Sequence, residues 1–344
     1  MGARPADLTS SPASVEETTG ALPRGTAWQT IVEAGQPHLF RGAASDWALV
    51  GQSPAETARL LREYSSGKDV TVYRGPPEMR GRFHYNADLT GFNFTGAREP
   101  LERVLDDLLA GGDPLYVGST DLDLYFPGFA KDNGFDLAAI HPMLAEHGGL
   151  ASVWIGNETT ASAHYDFSHN IAVCVAGRRR FTLFPPEQTA NLYPGPLDPT
   201  PAGQVVSMVD LANPDFDRFP RFADALGAAQ VAEMEPGDVL VYPAMWWHCV
   251  EALEPFNVLV NYWWNAVPGY IDSPQVTLLH GLLSLRDRPQ QEREAWRGLF
   301  DYYLFGDSEI PRAHLPDHAQ GPLAPIDEAT ARRLRAMIAR KLHR

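Results

Sequence analysis

The heptapeptide HYDFSHN, residues 164–170, holds the first groups able to bind a redox metal at a spacing with geometric meaning. Side chains two apart on an extended strand project from the same face, roughly 6–7 Å apart. His164 and Asp166 can therefore converge on one ion while Tyr165 points away. A third donor, His248, follows in GDVLVYPAMWWHCVEAL. Two imidazoles and one carboxylate on one side of an ion leave its other positions open, the arrangement that suits non-haem Fe(II) and oxygen. An HxD pair also arises by chance, and most histidines are surface or satisfied core residues, so the motif gains weight only from the chain around it.

Strand parity adds a charged group. In RRRFTLF, Arg179 shares a face with Phe181 and Leu183, whereas Arg178, Arg180 and Thr182 lie on the other. If the Phe and Leu face inward, Arg179 carries a guanidinium into an apolar interior, where an unpaired charge is too costly to persist. An anionic partner is then required, and a carboxylate gripped by two N–H groups suits it. Read the other way, Arg179 is a surface cation at a basic hairpin tip. Asn170 aligns with Ala172 and Cys174, small residues that leave room beside a metal, and Asn261 offers a second interior amide in NVLVNYWW. Either Asn also reads as a turn or edge residue.

The elements that must position these groups follow from composition and pattern. The 344 residues, 44% hydrophobic and 10% aromatic, suffice for one large domain or two. A formal charge of −15 and a pI near 5.1 disfavour broad attraction to phosphate backbones or anionic membranes, while leaving room for a local basic patch. No apolar run approaches the ~20 residues of a membrane span, and the start of the chain lacks a charged-then-apolar signal pattern. The expected location is cytoplasmic. Cys174 and Cys249 lie in apolar stretches without CxxC spacing and read as reduced core residues.

Residues 1–22, rich in Ala, Ser, Thr and Pro without periodicity, predict a flexible N-terminal tail. Helical spacing marks 54–64 and 98–112, strand patterns mark 69–75 and 114–120, and the aromatic stretch 81–94 reads as a strand with an ordered loop. After a helix expected within 136–147 the chain changes character. ASVWIG, IAVCVAG, RRFTLFP, GDVLVYP and NVLVNYWW are short apolar strands bounded by Gly, Pro and Asn, a barrel or sandwich signature. A Pro-rich insert over 185–236 interrupts them, and a segment of that length often forms part of a site mouth.

Helical patterns return over 273–286, 289–305 and 327–342. Val276, Leu279, Leu282, Leu283 and Leu285 nearly encircle the first of these helices, and Trp296, Leu299, Phe300, Tyr303 and Leu304 extend the apolar surface. Residues 269–344 are therefore expected to form a helical unit that makes a homodimer. The other reading packs these helices against N-terminal helices of their own chain.

Taken in order, HYDFSHN, GRRRFTLFPPEQ, NLYPGP, EPGDVLVYPAMWWH and NYWW resemble the cupin-like, JmjC-type Fe(II)- and 2-oxoglutarate-dependent oxygenases, notably the hypoxia-inducible factor asparaginyl hydroxylase and its bacterial relatives. The likeness is strong over roughly residues 151–268. Weaker likeness extends to FRGAASDW, GRFHYNADLTGFNF and AWRGLFDYYLFG. It implies a mainly β catalytic domain over 23–268 with flanking helices, whose double-stranded β-helix (jelly-roll, cupin) core spans about 114–268. It also implies pairing through the C-terminal helices.

By the same resemblance, Fe(II) is held by His164, Asp166 and His248, and 2-oxoglutarate lies near Tyr116, Asn170, Arg179 and Asn261. O2 is the co-reactant, succinate a product, and an unactivated C–H bond the point of hydroxylation. Trp263, on the parity of Asn261, is either a wall between iron and substrate or ordinary barrel packing. Two departures stand out. Arg179 replaces a lysine, which keeps the charge and adds a donor. Ala161 replaces a threonine that contacts the same carboxylate, and alternation aims Thr160 and Ser162 at the opposite face.

The expected substrate is a protein or peptide side chain. The alternatives are a metal-dependent cupin enzyme that does not use 2-oxoglutarate, an oxygenase acting on a small molecule or tRNA nucleoside, and a non-enzymatic binding scaffold. The HxD…H set argues against the scaffold, and a buried Arg179 would argue against the plain cupin. The acidic balance argues against nucleic acid.

Overall fold

A computed structural model of the chain describes residues 12–146 and 148–343. The chain divides at Ala266/Val267 into two compact units. In the first, strands β1 to β6 are Ala13–Ser14, Glu16–Thr19, His38–Arg41, Val70–Arg74, Arg82–Phe83 and Thr95–Glu99. Leu115–Asp121 (β7), Gly148–Gly156 (β8), Thr160–Tyr165 (β9), His169–Ala176 (β10) and Arg179–Phe184 (β11) follow. Gln230–Met234 (β12), Val239–Tyr242 (β13), Trp247–Ala252 (β14) and Asn257–Trp264 (β15) complete the set.

One sheet has six strands in the order β1-β12-β11-β14-β9-β5, the other nine in the order β2-β3-β13-β10-β15-β8-β7-β4-β6. From β8 onward the chain passes back and forth between the two, which is the winding of a double-stranded β-helix. Alternation explains the packing. In β15, Val258, Val260, Tyr262 and Trp264 face outward into a core shared with Trp28, Leu61 and Leu105, whereas Leu259 joins Cys174, Phe181 and Leu183 between the sheets. Burial on both faces is why NVLVNYWW reads as one apolar run rather than an alternating one.

The outer core is closed by helices Thr26–Glu33, Pro54–Tyr64 and Leu101–Ala110. In the last, Leu101, Val104, Leu105 and Leu108 fall at helical spacing and all four are buried. Each contributes roughly 1.5–3 kcal/mol by leaving water. The helix over 54–64 starts where the sequence predicts: Ser53 accepts a hydrogen bond from the Glu56 N–H at 3.3 Å, and Pro54 opens the first turn. The insert after β11 is a strap rather than a free loop. Its Leu192, Val205, Val209 and Phe222 bury against Phe184, Trp247 and Cys249 on the outer side of the smaller sheet. Both cysteines are free and buried.

Three expectations need correcting. Residues 1–11 of the predicted tail lie outside the described residues, but β1 pairs with β12 and β2 with β3, while Val15 and Leu22 are buried. The polar side chains of EETT hide this, because an edge strand joins a sheet through its backbone N–H and C=O groups. The sheets also begin well before residue 114, since β1 to β6 belong to them. The helix expected within 136–147 is two short ones, Leu137–Ile140 and Pro142–Glu146, broken at His141, where the following proline disfavours helical backbone.

The second unit contains helices Pro274–Ser284, Gln290–Phe300, continued by a π-helical turn over Asp301–Phe305, and Glu328–Leu342. No residue of the first two helices is buried. Among the described residues no helix is long and apolar enough to cross a membrane.

Candidate functional site

Strands β9 and β14 are antiparallel neighbours, and their register sets His164 directly opposite His248, with ring centroids 4.3 Å apart. Asp166 stands one residue beyond β9, where its carbonyl accepts the Met245 N–H at 2.8 Å. Its Oδ2 lies 3.6 Å from His248 Nε2, and one donor atom from each of the three side chains falls within 4.8 Å of the others.

Both imidazoles are locked in the tautomer a metal needs. His164 Nδ1 lies 2.8 Å from the Ser162 carbonyl and His248 Nδ1 lies 3.0 Å from the Trp246 carbonyl. A carbonyl only accepts, so each Nδ1 carries the proton and each Nε2 presents a lone pair. Burial, reinforced by the adjacent His164 and opposed by Asp166, pulls the pKa of His248 down to about 4. The ring is neutral at neutral pH, as a metal ligand must be. Trp263 Nε1 donates to Asp166 Oδ2 at 3.0 Å and orients the carboxylate.

These donors open into a cavity of about 710 Å³, within the roughly 300–1,000 Å³ range of small-molecule sites. Arg179 enters it from β11. The residue is 3% exposed, and its Nε and Nη2 are buried without a hydrogen-bond partner. Its neighbours show the parity: Arg178 pairs outward with Glu254 at 2.7 Å and Arg180 with Glu233 at 2.8 Å. Burial lowers the pKa of Arg179, with Tyr116 and Cys174 opposing the shift. Burial pushes the Tyr116 phenol well above its usual range, so its hydroxyl stays a neutral donor in the same cavity.

Asn261 lines the cavity, while Asn170 is fully buried behind it, their carboxamides 2.8 Å apart. Asn170 therefore supports Asn261 instead of facing a ligand. Ala161 contributes only a methyl group to the lining. One hydroxyl-bearing residue that sequence reasoning missed is Thr159, buried in the lining and located just before β9, where strand alternation does not apply. Ser162 gives its hydroxyl to the Phe83 carbonyl at 3.3 Å.

Also missed were the walls of the mouth: Tyr73, Phe92, Phe94 and Trp154 on one side and residues 200–204 of the insert on the other. The aromatic density of GRFHYNADLTGFNF was the only local signal for them.

A double-stranded β-helix with an inward His, Asp and His set defines a cupin. The cupin-like domain model matches residues 24–270, and the chain belongs to this cupin-like, JmjC-type family. HSPB1-associated protein 1 of Bos taurus is 38% identical over 248 residues, covering 66% of this chain and 48% of that protein. The chain thus spans about half the length of that relative. tRNA wybutosine-synthesizing protein 5 of Gallus gallus is 37% identical over 228 residues, 62% of this chain and 66% of that protein. Lysine-specific demethylase JMJ31 of Arabidopsis thaliana is 32% identical over 140 residues, 38% of this chain and 25% of that protein.

Proposed function

We propose that the protein is an Fe(II)- and 2-oxoglutarate-dependent oxygenase that hydroxylates an unactivated C–H bond on a protein or peptide side chain. The observation that carries this reading is the buried, partnerless guanidinium of Arg179 in the same cavity as His164, Asp166 and His248. A cupin that used a metal alone would leave that charge uncompensated, at a cost of several kcal/mol, about the magnitude a buried unpaired ion carries.

The residues present fit both groups. Two imidazole nitrogens and a carboxylate oxygen suit Fe(II). The free Nε and Nη2 of Arg179, with the Tyr116 hydroxyl, suit the distal carboxylate of 2-oxoglutarate. When bound, iron and 2-oxoglutarate supply oxidation by O2 coupled to release of succinate and CO2.

The chain's own contribution is positional. His164 and His248 keep their protons on Nδ1, so both Nε2 atoms stay available. Trp263 donates to Asp166 Oδ2, the oxygen that faces His248, and so fixes the direction in which the carboxylate is presented. Asn261 adds an amide to the cavity that holds the metal-ligand set and Arg179, backed by Asn170.

A protein substrate is supported by the cavity lining, in which Arg179 is the only Lys or Arg among the described residues, and by a net charge of −15. Nucleic acid needs phosphate-binding cations. One relative is named for association with a protein, another as a lysine demethylase and a third for tRNA wybutosine synthesis, so the choice rests on the cavity lining and the charge.

Calorimetry with Mn(II), as a redox-silent stand-in, and 2-oxoglutarate tests the reading, together with succinate release under Fe(II). Binding of both and slow turnover without a substrate are expected, with turnover abolished in His164→Ala and Asp166→Ala. Metal binding without 2-oxoglutarate binding would replace the proposal with the plain metal cupin.

A further inference from the structure

The mouth of the cavity has a chemistry of its own. An unbroken run of rings leads from the rim to the metal-ligand set. Phe92 stacks on Phe94 at 5.2 Å, Phe94 meets Phe83 at 5.2 Å and Tyr73 at 5.4 Å, and Phe83 meets Tyr116 at 5.6 Å. Tyr116 stacks on Trp154 at 5.8 Å, and Trp154 meets Trp263 edge-on at 5.8 Å, where the indole N–H ends on Asp166. Tyr73, Phe92, Phe94 and Trp154 are only half-buried, and all four line the cavity.

The wall is rigid. A Cβ at Gly96 would stand 3.1 Å from one edge of the Tyr73 ring and a Cβ at Gly118 3.2 Å from the other, so bare backbone clasps that ring on two sides. Facing it, residues 200–204 carry neutral side chains, among them Thr200 and Gln204. The insert is tied to the aromatic stretch 81–94 by the Tyr85 hydroxyl, which lies 3.1 Å from the Pro196 carbonyl and 2.9 Å from that of Pro199.

Charge is confined to the deep end. Among the described residues lining the cavity, Asp166 and Arg179 are the only carboxylate and guanidinium, and the two histidines the only imidazoles. The proposed function uses all four. Just outside, Arg74 is already paired with Glu99 and Asp107. Among the described lining residues a charged group at the mouth would shed water and meet no counter-ion short of the four groups at the deep end, and a phosphate would find no cation besides Arg179. Uncovered ring faces, by contrast, are best covered by another flat apolar group.

We infer that the mouth seats an uncharged aromatic side chain of a peptide, with Thr200 and Gln204 beside it for the peptide's backbone amides. The inference rests on the oxygenase reading only for the meaning of the seat as a substrate site.

Saturation-transfer NMR on the full chain tests it with four probes: N-acetyltryptophanamide, N-acetyllysinamide, N-acetylaspartamide and adenosine 5′-monophosphate. The tryptophan probe should bind at least about tenfold tighter than either charged amino-acid probe and than the nucleotide. Phe94→Ala should remove that preference. Because Phe94 also packs on neighbouring rings, Gln204→Glu on the insert serves as a second variant and should raise the affinity for N-acetyllysinamide. Equal or tighter binding of a charged amino-acid probe, no binding of the tryptophan probe, or a preference for the nucleotide would each overturn the peptide-aromatic seat, the last in favour of RNA.

Calorimetry of Mn(II) and 2-oxoglutarate on the same samples keeps the two readings separate. Loss of 2-oxoglutarate binding with probe selectivity intact would sink the oxygenase and leave the seat. The reverse pattern would sink the seat and leave the oxygenase.

Discussion

Arg179 keeps two donor nitrogens away from water with no acceptor, a cost that the carboxylate of the proposed cosubstrate would offset. Charge-assisted hydrogen bonds contribute about 1.5–3 kcal/mol each, and 1.4 kcal/mol is about a factor of ten. Arg179→Ala is therefore expected to weaken 2-oxoglutarate binding at least about tenfold while Mn(II) affinity stays nearly unchanged, and Arg179→Lys should retain part of the affinity. Calorimetry reads both, and equal affinity in wild type and the Ala variant would take Arg179 out of the cosubstrate site. Trp263 acts one shell further out. Trp263→Phe keeps a ring but loses the N–H that holds Asp166, and loss of such a partner typically costs about 10–100-fold in metal affinity. Mn(II) titration of the variant checks this, and an unchanged affinity would reduce Trp263 to packing.

At the scale of elements, Ser207 ties the insert both to β9 and to the aromatic stretch 81–94. Ser207 N–H donates to the Ala163 carbonyl at 2.7 Å, its hydroxyl donates to the Leu192 carbonyl at 2.6 Å, and its own carbonyl accepts from His84 Nε2 at 3.0 Å. Burial, helped by the neighbouring Arg82, brings the pKa of His84 down to about 4. An unfolded His titrates near ~6.5. Between those values the unfolded chain takes up a proton that the folded chain refuses, so this contribution is full above about pH 6.5 and declines as pH falls toward 4. Its size is on the order of 3 kcal/mol.

His248, His38 and His169 shift in the same direction, so the informative quantity is a difference between proteins. Urea unfolding at pH 7.5 and pH 5 should show a smaller acid loss in His84→Gln than in wild type. Parallel losses would show that His84 does not contribute.

For the whole molecule, the second unit presents apolar surface that nothing within its first two helices covers. Leu283 is 81% exposed and Phe305 77%. We propose that a second copy of the chain covers this surface, since two-fold pairing is the commonest closed arrangement and exposed patches of this kind mark interfaces. Light scattering of the full chain at micromolar concentration should give a dimer, and Leu283→Glu should shift it toward monomer. A wild-type monomer would overturn the proposal.

What the sequence determined by itself is what local periodicity controls. A period of two brought out His164 and Asp166 as donors able to converge and set Arg179 onto the side of Phe181 and Leu183. A period of 3.6 with Ser53 and Pro54 as punctuation marked the helix over 54–64. Side-chain direction along one element is decided by backbone geometry, which neighbours in sequence share.

Tertiary structure alone decided which strands meet. It set His164 opposite His248 and put Asn170 behind Asn261. It drew β1 and β2 into the sheets from a stretch whose composition resembles a tail. It also brought Thr159 to the cavity from just before β9 and built one aromatic wall from Tyr73, Phe94, Tyr116 and Trp154, which lie on separate segments of the chain. Strand partners are chosen by burying both faces of a sheet and satisfying backbone hydrogen bonds across it, a condition on distant residues jointly that no short window of sequence contains.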